Sequence, residues 1–337
     1  MNDDAVDFVA LGEIDDPFAR LPEGDLSANV AYRENGGVHT APRKLPRDLS
    51  AMPYPARDLV PYRRYRAPFI RRNPYTTAAM GRGCSHPKCT FCTTNIYFMH
   101  RIRLRSADHV LGELEEIARR YRIPHIFFRD DTFTGAPKLV RGVCEGILSR
   151  GLDLTWRCMT RHDLVDPELL QLMARAGCDH ISFGLETPND ELLERIGKYA
   201  TVAGQKEAVG WSRDAGMDVT GLFMLGVEGD TAETASRVAP FARSLGLDYA
   251  EFNVAVAAPG TEFYRRVAPK IPAADKYKNR WIYNSSIVPL RTLRRMRRRA
   301  YAGFYLRPSF LARRLLAVRS MGDFGLLVRT GLRLLTS

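Results

Sequence analysis

Short, continuous apolar runs alternate with helical patterns through the middle of the chain. Four helical patterns end in Gly-x-Asp and lead into an apolar run, as in "RAGCDHISFG" and "SLGLDYAEFNVAV". Glycine just past a helix supplies a left-handed C-cap that other residues resist, and continuous apolar strands are typical of parallel sheets covered on both faces. The pattern predicts six strands, near residues 76–82, 124–129, 153–159, 179–185, 217–225 and 248–257.

A helical pattern separates each predicted strand from the next, which indicates six β–α units and an α/β fold with a parallel sheet. The helix starts are also readable. Asp166 is placed as an N-cap, with Pro167 at the first helical position. Glu233 follows Asp230 by three residues, as in a capping box. The repeat and its spacing do not decide between a closed barrel and an open, doubly wound sheet.

The two ends of the chain differ from this middle part. Residues 49–75 are rich in proline and arginine and predict a linker that follows the surface of a domain without regular structure. Residues 1–48 begin with one strand-like stretch, "AVDFVALGE", and we do not expect them to fold alone. The predicted division is an N-terminal extension (1–48), a linker (49–75), an α/β domain (76–264) and a basic C-terminal region (265–337).

Composition narrows the class of protein. The 337 residues are 45% apolar and 26% charged, as in soluble globular proteins. The acidic start "MNDDAVDFVALGE" lacks a secretory pattern, and "GLFMLGV", among the longest apolar runs, is far shorter than a membrane span. Six cysteines, three of them bunched, do not resemble a secreted disulfide framework. We therefore expect a cytoplasmic protein.

The net charge of +12 is unevenly distributed. Residues 265–337 contain 18 lysines and arginines against only Asp275 and Asp323, so this region carries +16 and residues 1–264 carry −4. The high pI therefore describes the C-terminal region and not the body of the chain. General affinity for nucleic acid is not predicted from such a distribution.

Arginines alternate with large apolar side chains at roughly helical spacing in "LRTLRRMRRRAYAGFYLRPSFL". Helices that close the bottom of the domain, a surface for anionic membranes or a lipid-like substrate, and an RNA-binding surface all fit this pattern. No RNA-binding module is recognisable, and we expect no nucleic-acid partner. We predict weak, salt-sensitive contact with the inner face of the membrane through five arginines: Arg294, Arg295, Arg297, Arg298 and Arg299.

Charged and conformationally special residues follow the predicted strands at the points where they end. In parallel α/β folds the carboxyl ends of the strands form the active face, so these residues predict an active site there. In strand order they are Cys84; Asp130 and Asp131; Arg161; Glu186; Gly226 and Glu228; and Pro259, Gly260 and Thr261.

Three cysteines, Cys84, Cys89 and Cys92, lie within nine positions in "GRGCSHPKCTFCT". A closed zinc site would need a fourth ligand, from His86, His100 or a distant residue. An iron–sulfur cluster on three thiolates would leave one iron open for a substrate or cofactor. A loop without metal is the remaining alternative. The other cysteines, Cys144, Cys158 and Cys178, are expected to be buried small hydrophobic residues.

The sequence resembles the radical S-adenosylmethionine (radical SAM) enzymes, and within them the cobalamin-dependent class. The resemblance extends over about residues 5–320 and rests on "RGC…KCTFC", "FFRDDTF", "ISFGLET", "MLGVEGDT", "APGTEFY" and "RRRAYAGFYLRPSFL". It implies a partial (β/α)6 TIM-like barrel that holds a 4Fe–4S cluster and S-adenosylmethionine (SAM). It also implies reductive cleavage of SAM to a 5′-deoxyadenosyl radical, which abstracts hydrogen from the substrate.

The resemblance carries over to individual residues. Cys84, Cys89 and Cys92 match the cluster ligands, and Phe91 matches the aromatic residue beside the last of them. The remaining matched residues would contact SAM through its amine, carboxylate, ribose and adenosyl parts. They are Asp130 and Asp131 near the amine, Arg161 as a partner of the carboxylate, Glu186 at the ribose, and Gly226 and Pro259 lining the adenosyl moiety.

Two departures from the family pattern bear on function. The usual spacing is C-x3-C-x2-C, but four residues separate Cys84 and Cys89, so either a residue bulges at Pro87 or the site is altered. Residues 1–48 resemble only the end of a cobalamin-binding domain, and its Asp-x-His-x-x-Gly motif is not found. The nearest match, at 107–112, has Ala107 in place of Asp and lies on a predicted helix. We therefore expect no His-ligated cobalamin on this chain.

The predicted function is that of a radical SAM enzyme, with methylation, cyclisation or another radical reaction unresolved. The expected partners are a small-molecule or lipid-like substrate and an electron donor such as flavodoxin or ferredoxin. The competing hypothesis, from a different class, is a catalytically degenerate, zinc-binding barrel that acts as a binding or scaffold protein.

Overall fold

The main body of the protein is a six-stranded parallel sheet covered by helices. In the computed structural model the described residues are 5–15, 20–67, 70–267, 288–308, 310–312 and 325. The six strands are β4 (Tyr75–Ala78), β7 (His125–Phe128), β8 (Thr155–Thr160), β9 (Cys178–Glu186), β10 (Asp218–Leu225) and β11 (Tyr249–Val254). All six predicted strands are confirmed. The first is shorter than predicted, because β5 (Gly81–Arg82) pairs instead with β6 (Arg103–Leu104).

The sheet order settles the winding that the sequence left open. The strands lie in the order β4, β7, β8, β9, β10, β11, so each pairs with the next parallel strand along the chain. A doubly wound sheet would reverse this order at a switch point. The chain winds in one direction only, as in a partial (β/α)6 barrel, and within the described residues β4 and β11 are its two unpaired edges.

The longer helices cover one face of the sheet, and the helices of the described residues are nine in number. They are α1 (Thr94–Tyr97), α2 (Ala107–Glu116), α3 (Pro137–Ser149), α4 (Pro167–Arg175), α5 (Asp190–Arg195), α6 (Val202–Asp214), α7 (Ala232–Ser244), α8 (Glu262–Val267) and α9 (Leu290–Tyr305). The main core lies between sheet and helices and includes Trp156, Phe183, Phe223 and Phe252, all almost fully buried.

The predicted helix ends are largely as the sequence indicates. Asp166 caps α4 by accepting a hydrogen bond from the backbone N–H of Leu169. The glycines after α3, α4, α6 and α7 all have left-handed backbone angles, as predicted for C-caps. The capping box of α7 is shifted by one residue from the prediction, because Thr231 and Thr234 form it. Asp230 instead accepts a backbone hydrogen bond in the candidate site.

The described residues of the N-terminal part, 5–15 and 20–48, include a small antiparallel sheet against the main body. It consists of β1 (Phe8–Ala10), β2 (Val30–Glu34) and β3 (Gly37–Thr40), so the strand-like stretch at the start is paired and not alone. Buried Glu13 accepts from Arg82 and Arg103 of the β5–β6 hairpin. This ion pairing attaches the N-terminal sheet to the backbone that leads into the cysteine motif.

The described residues of the segment before β4, 49–67 and 70–74, follow the surface of the main body and contain only short 3-10 turns. Arg57 is buried and pairs with Glu113 of α2, and it also donates to Thr76 and Thr77 at β4. At the far end of this segment, Arg71 and Arg72 pair with Asp218 and Asp153, near the starts of β10 and β8. Arginine therefore holds the segment in place where regular secondary structure is lacking.

The described part of the basic C-terminal region is mainly α9, which packs on the edge strand β11. Tyr301 Oη accepts from the backbone N–H of Phe252, and Tyr305 Oη bonds both backbone groups of Ala250. The apolar face of α9 is thus covered by the sheet, while Arg294, Arg295, Arg298 and Arg299 are exposed.

Residues 268–287, and most of those beyond 312, lie outside the described residues. Within the described part of the chain, no helix has the length and hydropathy to cross a bilayer.

Candidate functional site

The three clustered cysteines lie on one loop, residues 83–93, which we term the cysteine loop. It follows β5 and lies next to the residues after β7. Cys84 Sγ contacts Thr132 Oγ1 at 3.0 Å and accepts from the backbone N–H of His86 at 3.3 Å. All three thiols are half-buried and unbridged, whereas Cys144, Cys158 and Cys178 are buried in the core, as predicted.

The cysteine loop is anchored on residues 196–198 after α5, which we term the docking segment. His86 Nε2 bonds the carbonyl oxygen of Gly197 at 2.7 Å, and the backbone N–H of Thr90 donates to Ile196 O at 3.0 Å. Gly197 has a φ of +73°, and a Cβ there would overlap the carbonyl oxygen of Lys88. Only glycine therefore allows this close approach of the two backbones.

The additional residue between the first two cysteines is accommodated at the surface. Pro87 and Lys88 form an exposed turn, while the His86 ring points inward to the docking segment. Burial lowers the pKa of His86, and its Nε2 is already engaged with Gly197. The other potential fourth zinc ligand, His100, is exposed and has a left-handed backbone.

Positive charge surrounds Cys89. Arg161 Nη1 lies 3.9 Å from Cys89 Sγ, and the Arg161 side chain is itself buried. Burial raises the pKa of the Cys89 thiol to about 11, and the nearby charges of Lys198 and Arg161 act in the opposite direction. Because metal binding requires the thiolate, these cations favour the ligand form of Cys89.

Arg161 is held by two partners at the end of β8. It forms a bidentate ion pair with Asp163, at 2.9 Å and 2.7 Å, and donates to the carbonyl oxygen of Lys198 at 2.7 Å. Its remaining nitrogen, Nη1, faces Cys89. The predicted carboxylate-binding arginine thus lies beside the cysteine loop with a fixed orientation.

Glu186 is buried at the end of β9 and pairs with Lys198, at 2.8 Å between Nζ and Oε1. The β9–β10 register shifts here, and Glu186 has a left-handed φ of +62°. Such backbone costs about 1–3 kcal/mol for a residue with a side chain and is concentrated at functional sites. Gly184 makes room for the pair, since a Cβ there would lie within 3 Å of both charged atoms.

The two aspartates after β7 have different roles. Asp130 is buried and accepts from the backbone N–H groups of Met80 and Gly81 at 2.8–3.1 Å. Burial raises the pKa of Asp130 to about 7, although these hydrogen bonds lower it. Asp131 is exposed and accepts from Thr94 and from the N–H of Gly83, next to Cys84. Asp130 thus shapes the backbone before the cysteine loop, and Asp131 is the one exposed at its rim.

Phe91, Gly226 and Pro259 lie around the same end of the sheet. Phe91 packs on a small apolar cluster built from α5, α8 and the ends of β10 and β11. Gly226 has a left-handed backbone, and its N–H donates to buried Asp230 at 2.7 Å. Pro259 is exposed on the loop after β11. Glu228, which also follows β10, pairs with Arg266.

Residues 79–242, which include the cysteine loop and the ends of β7, β8, β9 and β10, match the sequence profile of the radical SAM superfamily. The chain contains a radical SAM domain. Domains of this superfamily bind a 4Fe–4S cluster and SAM. The resemblance that the motifs indicated is therefore confirmed.

Two curated relatives show where similar radical SAM domains occur. An uncharacterized methyltransferase of Pyrococcus horikoshii is 31% identical over 292 residues, which are 84% of this chain and 62% of that protein. The anaerobic magnesium-protoporphyrin IX monomethyl ester cyclase of Rubrivivax gelatinosus is 27% identical, over 60% of this chain and 36% of that protein. The chain thus spans less than two thirds of the length of either relative.

The fold agrees with that of a solved radical SAM methyltransferase, TsrM from Kitasatospora setae, whose structure contains cobalamin and a 4Fe–4S cluster. The TM-score is 0.65 at 18% identity, over 79% of this chain and 56% of that one. At this identity the likeness establishes the fold alone.

The radical SAM domain brings most of the predicted residues to one end of the sheet without assembling a metal site. Within the described residues, no three Cys, His, Asp or Glu side chains surround one point as ligands. Cys84 contacts Thr132, while Cys89 lies beside Arg161. The donor set nonetheless fits a cluster, since three free, half-buried thiols are on one anchored loop.

The sequence reasoning missed the residues that support the radical SAM site. They are Thr132, Asp163, Gly197, Lys198 and Asp230, together with Arg129, which is argued below. Thr132 directly follows the acidic pair, and Gly197–Lys198 follows the helix after "GLET", which was the available signal. Their roles depend on contacts between segments far apart in sequence.

Proposed function

We propose that the chain cleaves SAM reductively, with a 4Fe–4S cluster held by Cys84, Cys89 and Cys92. One observation carries this proposal: three free thiols share an anchored loop beside the buried cations Arg161 and Lys198. When bound, the cluster supplies the electron that cleaves SAM to a 5′-deoxyadenosyl radical. The cations stabilise the thiolates and the negative charge of the assembled site.

The surrounding residues bind and orient SAM. Nη1 of Arg161 is directed at the cysteine loop and is available for the SAM carboxylate. The Glu186 carboxylate accepts hydrogen bonds from hydroxyl groups of the ribose, while the ion pair with Lys198 holds the carboxylate in place. Asp131 lies at the rim as an acceptor for the amine, and Asp130 acts indirectly through the backbone of Met80 and Gly81. Gly226 and the loop at Pro259 line the adenosyl group with backbone.

The reaction that follows is a methylation or a rearrangement of a small molecule. Methyltransferases and a cyclase among the relatives support both, and an electron donor such as flavodoxin or ferredoxin supplies the reducing equivalent. The concave sheet shields a carbon radical from water and stray hydrogen donors.

The test is anaerobic reconstitution of the full chain with iron and sulfide. We expect a brown protein with equal amounts of iron and acid-labile sulfide, which converts SAM to 5′-deoxyadenosine when reduced. A colourless protein that retains stoichiometric zinc and leaves SAM intact would instead support the zinc-binding scaffold. Because Nε2 of His86 is bonded to Gly197 and His100 is exposed, we expect the first outcome.

We also propose that the chain is cytoplasmic and contacts anionic membrane surfaces weakly through the exposed face of α9. Because the apolar face of this helix packs on β11, the contact is electrostatic and sensitive to salt. Each arginine near an anionic surface contributes about 1 kcal/mol before screening. Changing Arg294, Arg295, Arg297, Arg298 and Arg299 to glutamine should therefore abolish flotation with anionic liposomes at low salt.

Neutral liposomes provide the control for this experiment. Equal flotation with neutral and anionic liposomes, or no loss in the glutamine variant, would leave α9 as a structural cover of the sheet edge. Circular dichroism of the variant checks that α9 remains folded.

A further inference from the structure

We propose that the concave face of the sheet binds a polar substrate through an anionic group, with Arg129 as the main contact and Arg157 beside it. The inference names the substrate class of the site and thus rests on the proposed function. The anionic group is a carboxylate or a phosphate-type group. This class differs from the lipid-like substrate predicted from the basic C-terminal region.

Side-chain alternation identifies what the concave face carries. The strand residues of the main core occupy every second position, for example Ile126 and Phe128 on β7 and Ile181 and Phe183 on β9. The intervening positions therefore face the opposite side. They include Thr77, Phe127, Arg157, Ser182, Thr220, Glu251 and Asn253, and also the apolar Met159, Leu222 and Met224, and none belongs to the main core.

A barrel interior that binds nothing is normally filled with layers of branched apolar side chains. The concave face of this sheet instead combines apolar side chains with hydroxyl, amide and charged groups. Covering the exposed Glu251 and Asn253 with a lipid-like molecule would leave them without hydrogen-bond partners at considerable cost. The chemistry of the face therefore matches a polar ligand.

Two arginines share one aromatic ring on this face. The guanidinium carbons of Arg129 and Arg157 each lie 4.7 Å from the centre of the Phe127 ring. The ring attracts and orients both cations. Arg157 is buried, and its Nη2 lies 3.4 Å from Nε2 of His180. Because both guanidinium groups contact the same ring, an anion bound at Arg129 would also be attracted by the charge of Arg157.

Arg129 is the accessible member of the pair and lies at the end of the sheet that carries the cysteine loop. It directly follows β7 and is exposed, and no carboxylate of the described residues is within ion-pair distance of it. Its neighbours Asp130 and Asp131 are directed at the backbone of Met80, Gly81 and Gly83. A planar guanidinium can bind a carboxylate or a phosphate in bidentate fashion.

The other edge of the concave face has the opposite character. Glu251 and Asn253 are exposed on β11, five strands away from β4. They can accept hydrogen bonds from hydroxyl or amino groups. The face thus favours a substrate whose anionic end lies at β7 and β8 and whose hydrogen-bond donors lie towards β11.

Phenylglyoxal labelling of arginine, read by peptide mass spectrometry, tests this proposal on the full chain with and without reconstitution. Labelling of Arg129 is compared in phosphate, acetate and chloride at equal ionic strength. An anion present at about twice its dissociation constant should slow labelling about threefold. Arg63 is the internal control, because it is also exposed and lies over an aromatic ring, Tyr62, away from the concave face.

Protection of Arg129 but not Arg63 by phosphate or acetate supports the proposal, and the more effective anion identifies the group. We expect the R157Q variant to lose most of this protection. Equal effects on both arginines, no protection, or protection by SAM alone would overturn the proposal. Labelling needs neither the cluster nor SAM cleavage, so its outcome is independent of the reconstitution test.

Discussion

Replacement of Cys84, Cys89 or Cys92 by alanine is expected to abolish both the iron–sulfur chromophore and the formation of 5′-deoxyadenosine. In the proposed site each thiol supplies one of three protein ligands, so the loss of any one should prevent assembly of the cluster. His86 is the nearest alternative donor, but its Nε2 is bound to Gly197. The measurements are iron and sulfide content, visible absorbance and product formation under reducing conditions.

Cys144→Ala is the matched control for these variants. Cys144 is fully buried on α3 and far from the loop in the fold, so its loss removes a core thiol without touching the site. We expect a stability cost of about 1 kcal/mol and normal iron content. Loss of iron in this control, or retention of activity in any loop variant, would contradict the assignment of the ligands.

Replacement of Lys198 by methionine should have the second-largest effect. Lys198 is 5% exposed and Glu186 7% exposed, so the substitution leaves a buried carboxylate without its partner. Breaking such a pair costs about 3–5 kcal/mol. The change also removes a cation beside Cys89 and the fixed orientation of Glu186. Loss of a supporting residue of this kind should lower SAM cleavage by about 10- to 100-fold.

Two further variants separate stability from function. The double variant Glu186→Gln with Lys198→Met removes both charges, so urea denaturation should show much of the stability recovered while SAM cleavage stays low. Arg57→Met disrupts another buried ion pair, with Glu113, away from the cysteine loop. It should destabilise the chain but keep cleavage per folded molecule. If Arg57→Met lowers cleavage as much as Lys198→Met does, Lys198 has no specific role at the site.

The hydrophobic pattern was sufficient to locate the strands of this domain but not to arrange them. The period of the hydrophobic pattern and the helix-capping residues are local properties of the sequence. From them the ends of β9 and β10 were predicted to within one residue. Strand order is a property of pairing between segments, and it took the observed neighbours to exclude a doubly wound sheet. The N-terminal strand β1 shows the same limit, because its partner β2 is about 20 residues away.

The residues of the candidate site also divide into those that the sequence predicted and those whose roles only the fold shows. The cysteines, Arg161 and Glu186 were predicted because each follows a strand or forms a compact motif. The chemical roles of Asp130 and Arg129 were not predictable in this way, since the two are adjacent in "FFRDDTF". The fold directs Asp130 to the backbone of Met80 and Gly81 and places Arg129 over Phe127.

The sequence by itself determined the α/β class, the strand positions, the cysteine motif and the radical SAM resemblance, because these depend on local periodicity and on short motifs. Only the tertiary structure decided the single direction of winding and the anchoring of the cysteine loop on Gly197 and Lys198. It alone also decided the pairing of Lys198 with Glu186 and the placement of polar groups on the concave face. These features arise from contacts between residues that are distant along the chain, and such contacts are set by packing and electrostatics in three dimensions.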